Sequence, residues 1–169
     1  MKYSLSMFKS KKYPAFSAKD VVRIGVPKTY VKTLIHNEMK KGALKRIRKG
    51  WYTYHDDPMV AVFAFMPAYL GLESALSIRN IWDQETIPVI ITPNRVRPGV
   101  RDIMGTNVVI RRINPKQFYG YETLNYYGFW VPVSTLEKTY EDLKYFREKI
   151  DPKTIARLKK IIQSKSKKI

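Results

Sequence analysis

The sequence contains no cysteine. That excludes a disulfide scaffold, a thiol nucleophile and cysteine-ligated zinc. Histidine is nearly as scarce: only His36 and His55 are present, and no HExxH or related metal-ligand spacing exists. There is no glycine-rich phosphate loop. Gly71-Leu72-Glu73-Ser74-Ala75 fails as a nucleophile elbow, because the glycine that must follow the serine is missing. The acid–lysine pairs Glu137-Lys138 and Glu148-Lys149 fall in predicted helices, and Glu137 is assigned to a helix cap. His55-Asp56-Asp57 reads as a capping turn rather than a metal corner. No catalytic set, cofactor site or metal site emerges, and the chain reads as a non-enzyme. Long apolar runs are absent too. The longest, Met59–Met66, falls far short of the roughly 20 residues that span a bilayer. The N-terminus lacks an apolar core of signal-peptide length. A soluble, cytoplasmic protein without membrane contact is the expectation.

Acidic residues are the other deficit: 14 Asp/Glu against 32 Lys/Arg give a net charge of +18 over 169 residues. The imbalance is local. Residues 1–56 hold 14 basic and 3 acidic residues, a net of +11; residues 57–150 hold 11 and 10, a net of +1; residues 151–169 hold 7 and 1, a net of +6. A basic front and tail around a neutral middle favour a polyphosphate partner, since each neutralised phosphate releases counterions.

The basic front carries an ordered set of signals. Ser17 precedes Ala18–Arg23, with Asp20 three residues on, the pattern of a helix start. Gly25 interrupts, and Pro27 opens a second helix at a position that needs no N–H. Val31, Leu34, Ile35 and Met39 form one apolar stripe along it, and Gly42 ends it. Val21, Val22 and Ile24 are expected to enter the small core with Val31, Leu34 and Ile35. Leu44–Arg48 and Trp51–Tyr54 are short strand-like runs joined through Lys49-Gly50. Leu44 and Ile47 cannot share one face of a regular strand, so a bulge or a late strand start is expected. Helix, turn, helix and basic hairpin predict a winged helix-turn-helix over residues 1–56. On its second helix, Lys28, Thr29, Tyr30, Lys32 and Thr33 are candidates for the major groove; His36, Asn37 and Lys40 share that polar face. Ser17 at the first helix start, and Lys45, Arg46, Arg48 and Lys49 on the hairpin, are candidates for phosphate or minor-groove contact. Trp51, Tyr52 and Tyr54 are assigned to packing the hairpin.

His55-Asp56-Asp57-Pro58 marks a boundary. A small mixed α/β domain is expected over 57–150 and a basic helical tail over 151–169, making the chain α+β. Pro58–Met66 reads as a buried helix, Glu73–Ile81 as a helix, Ile87–Thr92, Asn107–Ile113 and Gly128–Val133 as strands, and Asn94–Pro98 as a loop. Ser134-Thr135-Leu136-Glu137 reads as a capping box. Asp151-Pro152 starts the last helix, and Gln163–Ile169 reads as a frayed basic end. A short helix is expected within residues 1–12.

Four stretches carry a family resemblance: Phe16–Asp20 through Gly25-Val26, Leu44–Tyr52, Ala68–Leu76 and Val131–Thr139. In order and spacing they resemble the AbiEi-type antitoxins, transcriptional regulators of type IV toxin–antitoxin pairs in viral defence. Pro27 stands where that family usually has a capping Ser or Thr. The resemblance implies a winged-helix domain that binds the operator of its own operon, autoregulation, and a functional link to a nucleotidyltransferase-like toxin without a stable complex. The expected function is sequence-specific duplex DNA binding for transcriptional control. A sequence-neutral nucleic-acid binder and, behind it, a metal-dependent nuclease are the alternatives.

Overall fold

In a computed structural model, which describes residues 3–167, the first helix begins at a reciprocal cap. The Ser17 hydroxyl accepts the Asp20 N–H, and the Asp20 carboxylate accepts the Ser17 N–H at 2.7 Å. This cap starts α1 (Ala18–Arg23), and Ser17 also ends β1 (Phe16–Ser17). The chain turns through Gly25, whose φ of +101° suits glycine, and enters α2 (Lys28–Lys40). Pro27 occupies the cap position rather than the first helical turn, and α2 has no side-chain cap.

Strands β2 (Lys45–Arg48) and β3 (Trp51–Thr53) turn at Gly50, φ +83°, and β3 also pairs with β1, giving a three-stranded sheet in the order β1-β3-β2. Leu5, Phe8, Phe16, Val21, Val26, Val31, Leu34, Ile35 and Leu44 form one core between this sheet and the helices. Phe8, from a short 3-10 turn at Ser6–Lys9, stacks on Phe16 with centroids 4.2 Å apart. Two residues expected inside are not: Val22 and Ile24 are 41% and 38% exposed. The first helix has only six residues, so it presents a single buried position, Val21, instead of a stripe.

Leu44 faces that helical core, while Ile47 is buried in a different one. Their odd spacing demands opposite faces. The strand starts late, at Lys45, and its register shifts between Arg46 and Arg48. The second core unites Ala15, Ile47 and Trp51 with the 3-10 segment Pro58–Phe65 and one face of a second sheet. That segment is buried as expected but winds as 3-10 rather than α-helix; Asp57 caps it by accepting the Met59 N–H.

The second sheet has six strands in the order β6-β7-β5-β4-β9-β8. They are β4 (Tyr69–Leu70), β5 (Val89–Thr92), β6 (Gly99–Ile103), β7 (Thr106–Arg112), β8 (Tyr121–Tyr126) and β9 (Phe129–Ser134). Pairing is mixed: β5 with β7 and β4 with β9 are parallel, and the rest are antiparallel. Val89 and Ile91 point to one face and Ile90 to the other. Helices α3 (Leu72–Ile78), α4 (Leu136–Tyr145) and α5 (Pro152–Ser166) accompany the first of those faces, where Leu72, Leu76, Leu136, Leu143 and Leu158 pack. The three-stranded sheet and the 3-10 segment cover the second.

The expected capping box at Ser134 and Glu137 does not form. Thr135 is the cap, accepting the Lys138 N–H at 3.2 Å, and the Ser134 hydroxyl lies buried 2.7 Å from that of Thr139. Asp151 caps α5 as expected. That helix runs through Ser166, and the last two positions of the predicted tail, Lys168 and Ile169, lie outside the described residues. Among the described residues, no helix is long and apolar enough to cross a membrane.

Candidate nucleic-acid interface

Val31, Leu34 and Ile35 anchor α2 in the core, which leaves its other faces to solvent. A second tether fixes its C-terminal end. The Tyr54 hydroxyl donates to Glu38 at 2.8 Å, and Lys41 donates to the other oxygen at 2.8 Å. These two hydrogen bonds hold the Glu38 carboxyl below its ordinary pKa. Burial first, and then the neighbouring Glu38 carboxylate, push the Tyr54 phenol up. The helix is thereby pinned to the strand-bearing side of the unit at one end and exposed at the other.

The exposed end faces the hairpin turn across a groove of about 430 Å³, lined by Ala18, Lys19, Val22, Lys28, Val31, Lys32, Ile35, Lys49, Gly50 and Tyr52. Lys28 and Lys32 are one helical turn apart on α2; Lys19 comes from α1 and Lys49 from the hairpin turn. The groove holds four lysines and no carboxylate. Four other cavities of comparable size each carry at least one acid: Glu73 and Glu85 beside Arg111 in one, Asp83 and Asp151 beside Arg157 in another, Glu38 in the third, Asp83 and Glu85 in the fourth. Four lysines around one groove with no acid in its lining leave a phosphate without a competing counter-charge there. The N-terminal amides of α2, which no side chain caps, add partial positive charge at the Lys28 end. The floor, from Val22, Val31, Ile35 and Tyr52, is apolar.

The candidates read from the sequence do not all meet there. Lys28, Lys32 and Lys49 line the groove. Thr29 and Thr33 are exposed on α2 one stripe further round, beside His36 and Asn37. Tyr30 is half-buried against Tyr3, with ring centroids 5.8 Å apart. Ser17 is occupied by its cap. Arg46 is exposed and lies opposite Tyr52 in register, which puts both on the helix-facing side of the hairpin. Lys45 pairs instead with Thr53 in register and forms an ion pair with Asp56. Arg48 turns to the 3-10 segment. Its guanidinium lies 4.6 Å from the centre of the Phe65 ring and donates to the Ala64 carbonyl at 3.4 Å. Burial, and then the charge of Arg101, lower the Arg48 pKa.

Lys19 was not among the sequence candidates, and Val22, expected in the core, lines the groove instead. The signal for Lys19 was its place two residues past the Ser17 cap, in the first exposed turn of α1. His36 and His55 do not share a site: His55 lies edge-on to Phe129, 4.9 Å between centroids, with Nε2 3.2 Å from the Ser10 carbonyl. Among the described residues, no group of three His, Asp or Glu side chains is placed to hold a metal ion. No protein-family model matches the chain, and no curated protein matches it.

Proposed function

We propose that the chain is a duplex DNA-binding transcriptional regulator, with residues 1–56 acting as a winged helix-turn-helix. In this reading α2 is the recognition helix, the β2–β3 hairpin is the wing, and Lys19, Lys28, Lys32, Arg46 and Lys49 neutralise backbone phosphates. Thr29, Thr33, His36 and Asn37, exposed on the same helix, are the side chains available for base edges. The observation that carries the reading is the gathering of four lysines from α1, α2 and the hairpin turn around one acid-free groove. Phosphate contacts set affinity and register, and base contacts set sequence.

The resemblance to AbiEi-type antitoxins extends the proposal to autoregulation of an operon that encodes a nucleotidyltransferase-like toxin, with no stable antitoxin–toxin complex. The test of the regulator reading is a binding titration with the DNA upstream of the chain's own gene against a scrambled duplex of equal length, both at about 0.15 M salt. Preference for the upstream region supports the regulator; equal binding makes the protein a sequence-neutral binder; absence of binding overturns both.

A further inference from the structure

Resting on the DNA-binding reading, we infer that Arg48 and Arg101, gathered over the Phe65 ring where the hairpin meets the second sheet, form a two-guanidinium site for a backbone phosphate of the bound duplex, separate from the lysine groove. Strands β2 and β6 are in contact at this junction. The Arg48 guanidinium lies 4.6 Å and that of Arg101 5.7 Å from the centre of the same ring. Two cations drawn to one aromatic ring repel each other. Among the described residues, neither arginine forms an ion pair with an acid that would offset this.

The donors are also underused. Arg48 gives one N–H to Ala64 O, and Arg101 gives one to Arg97 O at 2.8 Å. Each guanidinium has five N–H groups in a fork that matches phosphate oxygens. Both side chains are only partly buried, and Arg95 and Arg97 stand exposed in the loop that leads into β6. A monoanionic phosphodiester placed between the two guanidiniums relieves their repulsion and accepts the free donors, as charge-assisted hydrogen bonds do. The second domain then contributes to DNA binding directly, and the footprint extends past the wing.

The experiment uses the full chain and a fluorescein-labelled duplex of mixed sequence, because a phosphate contact is read without regard to sequence. Affinity is measured across a salt series for wild type, Arg101→Gln, Arg101→Lys and Lys32→Ala. The inference expects Arg101→Gln to lower the slope of log affinity against log salt by about 0.9, Arg101→Lys to restore most of it, and the melting temperature to stay at the wild-type value. If Lys32→Ala lowers the slope and Arg101→Gln leaves it unchanged, the junction site is overturned and the groove reading survives. If wild type fails to bind the duplex at any salt, the DNA-binding reading falls and this inference with it. Sedimentation with phosphatidylserine vesicles that depends on Arg101 while duplex binding does not would assign the arginines to lipid headgroups and overturn the proposal.

Discussion

Arg46 and Arg48, two positions apart on one strand, lie on opposite faces of their sheet: Arg46 is across from Tyr52 in register, and Arg48 stacks on Phe65 at 4.6 Å. In a regular strand they would share a face. The register shift between them turns the strand, so that Ile47 joins the core beneath the second sheet and Arg48 lies over Phe65 of the 3-10 segment. The hairpin therefore has an exposed helix-side face at Arg46 and a packed joint at Ile47 and Arg48.

That split separates two substitutions. Arg46→Ala should leave the melting temperature unchanged and reduce the salt slope of duplex binding by about 0.9. Ile47→Ala should cost about 2–5 kcal/mol of stability, as buried truncations do, read as a lowered Tm. A Tm loss for Arg46→Ala, or none for Ile47→Ala, would contradict the placement of these side chains.

Ser17 was a candidate ligand residue and is a cap in the structure. Ser17→Ala should lower stability by about 1 kcal/mol, while the salt slope stays as in wild type. A reduced slope with an unchanged melting curve would reassign the hydroxyl to the ligand.

Asp142 is buried on α4, where Tyr69 donates to it at 2.7 Å and the buried Lys138 ammonium lies 3.2 Å away. Burial raises its pKa, outweighing the lowering effects of Tyr69 and Lys138. A carboxyl with a raised folded-state pKa holds its proton more tightly in the native state. Its contribution to stability is present below the ordinary Asp value of about 3.9 and is lost as pH rises through the raised value. Thermal melts in that window should show wild-type Tm falling with rising pH more steeply than that of Asp142→Asn. Parallel curves would remove Asp142 as the titrating group. Asp142→Ala, which leaves the buried Tyr69 hydroxyl without its acceptor while Lys138 keeps the Gln117 carbonyl at 2.6 Å, should cost about 1–3 kcal/mol.

Much of this was legible in the sequence because local chemistry decided it. The Ser17–Asp20 cap, the Gly25 and Gly50 turns, the Asp57 and Asp151 caps and the β-branched run of β5 follow from residues within a few positions of one another. What was hidden depended on distant partners. Strand β1 exists only because Phe16 finds Tyr52, and β4 only because Leu70 sits between Ile90 and Val133. The diversion of Arg48 was hidden for the same reason, since Phe65 is remote in sequence. Lys28, Lys32 and Lys49 were readable from the helix and turn that carry them; their neighbour Lys19 needed the packing of α1 against α2.

Gly71 shows a limit set by space rather than by backbone angle. A Cβ there would come within 2.4 Å of the Ile91 Cδ1 atom and 3.3 Å of Tyr69 Cε2. Both neighbours are fully buried, so neither can move aside freely. Gly71→Ala should cost about 1–3 kcal/mol through overpacking, measurable by urea unfolding; a neutral result would mean that this layer between β4, β5 and α3 is looser than described.

The most direct measurement is the salt dependence of duplex binding for wild type and for the combined Lys28→Ala, Lys32→Ala, Lys49→Ala variant. If the acid-free groove is the phosphate surface, the variant should lose about 2.7 from the slope while melting as wild type does. An unchanged slope in a folded variant would contradict the account at its base, because the lysines that meet there would not be touching DNA.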